Sequence, residues 1–281
     1  MKQNEFELEE KYKLFRSVKE LLHPTISKRN ISNYKIIVDE NILLLRVFYP
    51  KKVSNIKKVI INIPGEGEIT DCEGMYSNIS ATISKEVDQM LISIDYEKQP
   101  NDFPSLFDRI YETIDFIYQG LRKENIAVED ISLMGDSTGA NILLNIVERM
   151  QKNNLEVGRM ILFYPVLSGE YQGETKYPSI KENTSVNYNL IEKLKNYYKK
   201  APKEIFPLNL EEEKTYSPTL LLSGNVDPLV DEAKAFKEKN NNIELKIIDF
   251  AYHGFLNTKD KEMIKEYLKI VKSFMNPENN D

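Results

Sequence analysis

The chain has 281 residues, enough for two domains of about 150 residues or for one large α/β domain, and in either case enough to bury a substantial core. With 38 Lys+Arg against 44 Asp+Glu the net charge is -6 and the two signs are interspersed, so there is no basic stripe to neutralise nucleic-acid phosphates. A single cysteine, Cys72, and two histidines, His23 and His253, exclude an internal disulfide and a Cys-rich zinc site. No run approaches the ~18 apolar residues of a membrane span. The start, MKQNEFELEEKYK, is acidic and lacks the apolar core of a signal peptide, so the expectation is a soluble, cytoplasmic protein.

Residues 5–22 come first, and their apolar stripe at helical spacing (Leu8, Tyr12, Phe15, Val18, Leu22) predicts a helix. Two strand-length runs follow at 34–38 and 42–49, separated only by Asp39, Glu40 and Asn41, a turn-forming cluster that suits an antiparallel hairpin. Runs rich in Ile, Val and Leu then recur at 59–63, 90–94, 131–134, 159–164, 219–224 and 244–250. Helical period appears between them, at 105–123 and 140–150, so strand and helix alternate. That pattern calls for a mainly parallel sheet of eight strands with helices on both faces. Residues 166–215 break the alternation. They are rich in Tyr and charge, hold one good helix around 189–199 and no convincing strand, and read as a cap over the sheet edge.

After the run at 131–134 stands Gly135-Asp136-Ser137-Thr138-Gly139, which is G-x-S-x-G between a strand and a helix. A serine on a sharp strand-to-helix turn projects its hydroxyl above the sheet, and the flanking positions must be Gly because the turn packs them tightly. Alone the pattern is weak, and the bland alternative is a Gly-flanked loop serine; its placement is what strengthens it. A serine hydroxyl needs a general base, almost always His, oriented by a buried carboxylate. His23 lies at the end of the first helix beside Pro24 and reads as an ordinary helix-end residue. His253, in Tyr252-His253-Gly254-Phe255, follows the last strand, at the C-terminal strand ends where open α/β sheets place their sites. Asp227 follows the preceding strand in the same way. The chain order Ser137, Asp227, His253 is the order that α/β hydrolases use.

Taken together, these segments resemble the hormone-sensitive-lipase-like branch of the α/β-hydrolase esterases. Gly135-Asp136-Ser137-Thr138-Gly139-Ala140 is similar to its G-D-S-A-G-G elbow, Asp227-Pro228-Leu229-Val230-Asp231-Glu232 to its D-P-L-x-D-E, and His253-Gly254-Phe255 to its H-G-F. Weaker echoes are Asp95-Tyr96, for its D-Y-R, and Phe103-Pro104 with Asp108, for its F-P-x-x-x-x-D. The resemblance runs from about residue 57 to 256. It implies one α/β-hydrolase domain over 1–281 with a helical cap from about 1–30 and 166–215, a nucleophile at Ser137, an orienting Asp227 and a base at His253. The reaction it implies is hydrolysis of small, short-acyl esters, with no metal or organic cofactor. The partner is then a small-molecule ester; a homo-oligomer stays open.

One departure stands out. Where the family carries H-G-G-G after the first parallel strand, this chain reads Pro64-Gly65-Glu66-Gly67, followed by Glu68. The family's oxyanion donors are backbone N–H groups that map onto Glu66 and Gly67, joined by that of Thr138. Either the glutamates point away and the hole works with a modest loss, or they receive a cationic or polyhydroxyl group of the substrate, or activity is lost. Two alternatives to an esterase follow: an amidase or peptidase-like hydrolase on the same three residues, and a ligand-binding relative with impaired catalysis. Cys72 reads as structural. The tyrosines at 171, 177, 188, 197 and 198 read as a packed cap or an acyl or sugar pocket.

Overall fold

The protein is described from a computed structural model, over residues 13–24, 31–38, 41–53, 56–65, 73–96, 102–170, 185–210 and 215–277. Among the described residues nine strands form one sheet: β1 (Lys13–Leu14), β2 (Ile31–Val38), β3 (Asn41–Phe48), β4 (Val59–Ile63), β5 (Met90–Asp95), β6 (Ile131–Asp136), β7 (Arg159–Phe163), β8 (Thr219–Gly224) and β9 (Ile243–Ile248). Their order is β1-β2-β3-β5-β4-β6-β7-β8-β9. The pairs β2–β3 and β3–β5 are antiparallel and the others parallel. The α/β-hydrolase fold and the antiparallel pairing of the first two long strands are therefore as the sequence predicts, with one strand more among the described residues.

That extra strand corrects the reading of 5–22 as one helix. Lys13 and Leu14 pair parallel with Tyr34 and Lys35, and Phe15 N–H donates to Lys35 O at 2.7 Å. Among the described residues of this stretch only Val18–Leu22 (α1) is helical, and residues 5–12 lie outside the described residues. Phe15 is buried edge-on against Tyr34 and Phe116. Apolar spacing that satisfies a helical stripe is here divided between a sheet edge and a short helix, because pairing with β2 satisfies the backbone there.

Inside the sheet the strands are apolar on both sides, as parallel strands covered on two faces must be. Along β4, Val59, Ile61 and Ile63 face one core and Ile60 the other; in β7, Met160 and Leu162 alternate with Ile161 and Phe163. Helices α3 (Phe103–Lys123), α4 (Ser137–Lys152) and α6 (Val230–Lys239) contribute Ile110, Ile142 and Phe236 to the first core. On the other face, α2 (Glu73–Val87) and α7 (Lys261–Met275) contribute Ile83 and Val271. Helix α7 is capped by Asp260, whose carboxylate accepts from the Glu262 and Met263 amides.

Between β7 and β8 the described part of the insertion holds α5 (Ser185–Tyr197) and short 3-10 turns at Lys203–Ile205 and Pro207–Asn209. Val166, Ile191, Leu194, Tyr198, Ile205 and Phe206 pack there with Phe103 and Leu229. Tyr198 is fully buried and stacks on Phe103 at 5.6 Å. Tyr197 and Tyr198 thus belong to the packing, whereas Tyr171 and Tyr177 lie outside the described residues and Tyr188 falls within α5. Among the described residues no helix is long and apolar enough to cross a membrane.

Candidate active site

The chain runs from β4 to β5 on one side of the sheet and then returns to β6 on the other side of β4. Open α/β sheets form a crevice at the carboxyl ends of the strands where the order reverses in this way. Ser137, the first residue of α4, stands at that point directly after β6. Its φ is +50°, a left-handed conformation that costs a non-glycine residue about 1–3 kcal/mol and turns strand into helix within a single residue. Gly139 is required by close approach, since a Cβ there would lie 2.2 Å from the Ile63 carbonyl oxygen. The carboxylate of Asp136 accepts the Gly65 N–H at 2.9 Å, which ties the segment after β4 to the elbow, and Tyr96 Oη donates to Pro64 O at 2.8 Å from β5's end.

The fold brings Ser137 together with two residues far along the chain. Ser137 Oγ lies 2.8 Å from His253 Nε2, and His253 Nδ1 lies 3.0 Å from Asp227 Oδ2 and 3.2 Å from Oδ1. Asp227 is 1 % exposed and also accepts the Leu229 N–H at 2.8 Å. With an acceptor-only carboxylate facing Nδ1, that nitrogen carries the ring proton, so Nε2 is the acceptor for the serine hydroxyl. The turns after β8 and β9 are joined: Asn225 Nδ2 donates to Asp249 Oδ1, Asn225 Oδ1 accepts from Phe250 N–H, and Val226 N–H donates to Ala251 O. Gly254, at φ +81°, lets the chain leave the histidine in a conformation a side chain would strain. His23 is the exposed C-cap residue just after α1 and bonds through its backbone N–H to Lys19 O, in keeping with its plain reading.

Of the three backbone groups assigned to an oxyanion hole, only Thr138 can be placed. It sits in the first turn of α4, where N–H groups and the partial positive charge of the helix gather. Glu66 and Gly67, with Glu68 and Cys72, lie outside the described residues.

Three contributors were not singled out by sequence reasoning. Tyr164, fully buried at φ +35°, packs its ring 4.8 Å from that of His253 and 5.0 Å from Phe255. Asp136 is visible in the sequence only as part of the serine motif, with no role of its own. Glu232, inside the quoted Asp227–Glu232 stretch, is completely buried on α6. The available signal was a charged residue on that helix's inward stripe with Leu229, Ala233 and Phe236.

Burial, partly offset by hydrogen bonds from Ser168 and Leu167 and reinforced by the nearby Asp227 charge, pushes the Glu232 carboxyl up from 4.5 to about 7. The folded chain therefore holds this proton more tightly than the unfolded chain, so stability falls as pH rises from 4.5 to about 7 and is level above. A rise of that size corresponds to roughly 3 kcal/mol. Glu232→Gln should match the wild type at pH 5 and melt several degrees higher at pH 8, read by thermal denaturation at both values. An equal gap at the two pH values would mean that the carboxyl does not titrate in this window.

Strand order, elbow and site position define an α/β hydrolase. A family model described as the alpha/beta hydrolase fold matches residues 67–257, and the chain belongs to that family. An esterase of Acinetobacter venetianus is 24% identical over 214 residues, 74% of this chain and 69% of the relative, and an esterase of Fusarium pseudograminearum is 24% identical over 61% of this chain and 56% of the relative. Among solved structures, the Francisella virulence factor BioJ superposes with a TM-score of 0.72 at 24% identity, covering 92% of this chain and 89% of that one. A hyperthermophilic esterase from Pyrobaculum calidifontis superposes with a TM-score of 0.76 at 17% identity, covering 92% and 88%. The protein is thus an esterase-like α/β hydrolase.

Proposed function

We propose that the protein hydrolyses small, short-acyl carboxylic esters through an acyl-enzyme intermediate on Ser137. The observation that carries this reading is the continuous relay from Ser137 Oγ to His253 Nε2 at 2.8 Å and from His253 Nδ1 to the buried Asp227 carboxylate at 3.0 Å. Esterase relatives support ester bonds as the target.

In this mechanism Ser137 Oγ attacks the ester carbonyl while Nε2 takes the hydroxyl proton. The Asp227 carboxylate holds the imidazolium that forms, and the Thr138 amide, with those of Glu66 and Gly67, faces the oxyanion. The tetrahedral adduct collapses as the imidazolium returns its proton to the departing alkoxide, releasing an alcohol and leaving the acyl group on Oγ. Water then gives a proton to His253 as its oxygen attacks the acyl carbon, and collapse restores the serine and frees the acid. No step needs a metal or an organic cofactor.

Labelling the purified protein with a fluorophosphonate tests the nucleophile, with one equivalent on Ser137 as the expected result. Labelling at another residue, or none, would overturn the assignment. Among p-nitrophenyl acetate, butyrate and octanoate, the rate is expected to fall with the longest chain.

A further inference from the structure

The insertion between β7 and β8 leaves the sheet through residues 164–170 and returns through 205–210, and the two roots are bonded to each other: Leu208 N–H donates to Leu167 O at 3.0 Å. Helix α4, which begins at Ser137, holds both. Asn141 Nδ2 donates to Val166 O at 3.1 Å and to Ile205 O at 2.9 Å, and Asn145 Nδ2 donates to the same Ile205 O at 2.9 Å. Val166 N–H in turn donates to the Ser137 carbonyl at 3.3 Å, so the outgoing root lies directly on the nucleophile's own peptide.

Glu232 holds the same root through other groups. Its Oε2 accepts the N–H groups of Leu167 (2.8 Å) and Ser168 (3.0 Å), and its Oε1 lies 2.6 Å from Ser168 Oγ. Among the described residues no cation pairs with it, so the carboxyl is held by backbone and hydroxyl donors alone, an arrangement that costs stability relative to a neutral side chain. Leu167 is thereby fixed through both its backbone groups, N–H by Glu232 and C=O by Leu208. Five residues before Glu232 lies Asp227. The turn between them carries Leu229, which packs with Val166, Phe103, Tyr198 and Phe206 in one apolar cluster.

We propose that Glu232 is a positioning residue that sets acyl-chain selectivity, by fixing the Val166–Ser168 root and with it the apolar wall of the insertion beside Ser137. This rests on the esterase reading above. On this proposal an acetyl group ends at Ser137, whereas a longer acyl chain extends toward the Val166–Ser168 root, which is bonded to the Ser137 carbonyl. Losing Glu232 leaves two amides and a hydroxyl to find new partners and lets that wall move relative to the nucleophile. The change Glu232→Gln would keep the grip: the side-chain carbonyl oxygen accepts both amides and the NH2 donates to Ser168 Oγ.

The test compares p-nitrophenyl acetate with p-nitrophenyl hexanoate for the wild type, Glu232→Gln, Glu232→Ala and Asn145→Ala, with active sites counted by fluorophosphonate titration. In Glu232→Ala, kcat/KM for hexanoate should fall about tenfold, chiefly through KM, while acetate stays within about twofold, because misplacement is felt only by the part of the substrate that touches the moved wall. Glu232→Gln should keep the wild-type ratio. Asn145→Ala, which removes one of the tethers on the α4 side, should shift the ratio in the same direction by about threefold, and it supplies the answer should the Glu232→Ala protein not fold. Equal losses on both esters, an unchanged ratio, or a Gln variant as impaired as the Ala variant would each overturn the proposal. A wild type with no label on Ser137 would overturn the esterase reading, and this proposal with it; full labelling with an unmoved ratio would overturn this proposal alone.

Discussion

Ser137→Ala should lower kcat/KM for p-nitrophenyl butyrate by about 10⁶-fold, the size of effect that loss of the nucleophile has when serine, histidine and aspartate act as a unit. Oγ is the one atom of the relay that forms and breaks a covalent bond in the proposed mechanism, and a methyl group in its place cannot attack the carbonyl. The fold should be untouched. Alanine meets the same backbone at φ +50° as serine does, and the Gly139 approach to Ile63, the Asp136 grip on Gly65 and the Val166 bond to the 137 carbonyl all involve other atoms. The expected result is therefore an unchanged melting temperature with no turnover. Retention of more than about one per cent of the activity would mean that another group attacks the ester.

Asp227→Asn should cost about 10⁴-fold in kcat, the magnitude this exchange has in serine hydrolases of the same chemistry. The structure gives the reason in atomic detail. Leu229 N–H donates to Oδ1, so in the variant the amide oxygen is retained at Oδ1 and the NH2 takes the place of Oδ2, 3.0 Å from His253 Nδ1. A donor at that position selects the tautomer with its proton on Nε2, and Nε2 then faces the Ser137 hydroxyl as a donor that cannot accept its proton. Fluorophosphonate labelling should slow in parallel with ester turnover, because both need Oγ deprotonated. A variant that turns over butyrate at a rate within tenfold of the wild type would remove Asp227 from the mechanism.

Much of this is legible in the sequence itself. Strands β4 to β8 are short runs rich in Ile, Val and Leu, and burial on both faces leaves an apolar run that no other role explains. The elbow, Asp227 and His253 were legible because each occupies the same kind of place, directly after a strand, and a parallel sheet gathers those places at one edge. Strand β1 was not: two residues have no period, and Phe15 and Val18 satisfy a helical stripe equally well until Lys35 is seen to bind the Phe15 amide. The oxyanion pair at Glu66 and Gly67 was read from a resemblance in backbone chemistry, whose outcome depends on loop conformation rather than on residue type.

Local chemistry along the chain determined the α/β alternation, the sharp turn at Ser137 and the choice of His253 as candidate base, since the sequence holds only two histidines and one of them precedes every long strand. Those features depend on residues a few positions apart, so a linear sequence carries them. The roles of Asp136, Tyr164 and Glu232 depend on partners 71, 89 and 64 or 65 positions away, at Gly65, His253, and Ser168 and Leu167. In the sequence they are an aspartate within a serine motif, a tyrosine at a strand's end and one acid among 44 acidic residues. Only the packed molecule decides that a carboxylate of α6 holds the root of the insertion, because a hydrogen bond is satisfied in space and not along the chain.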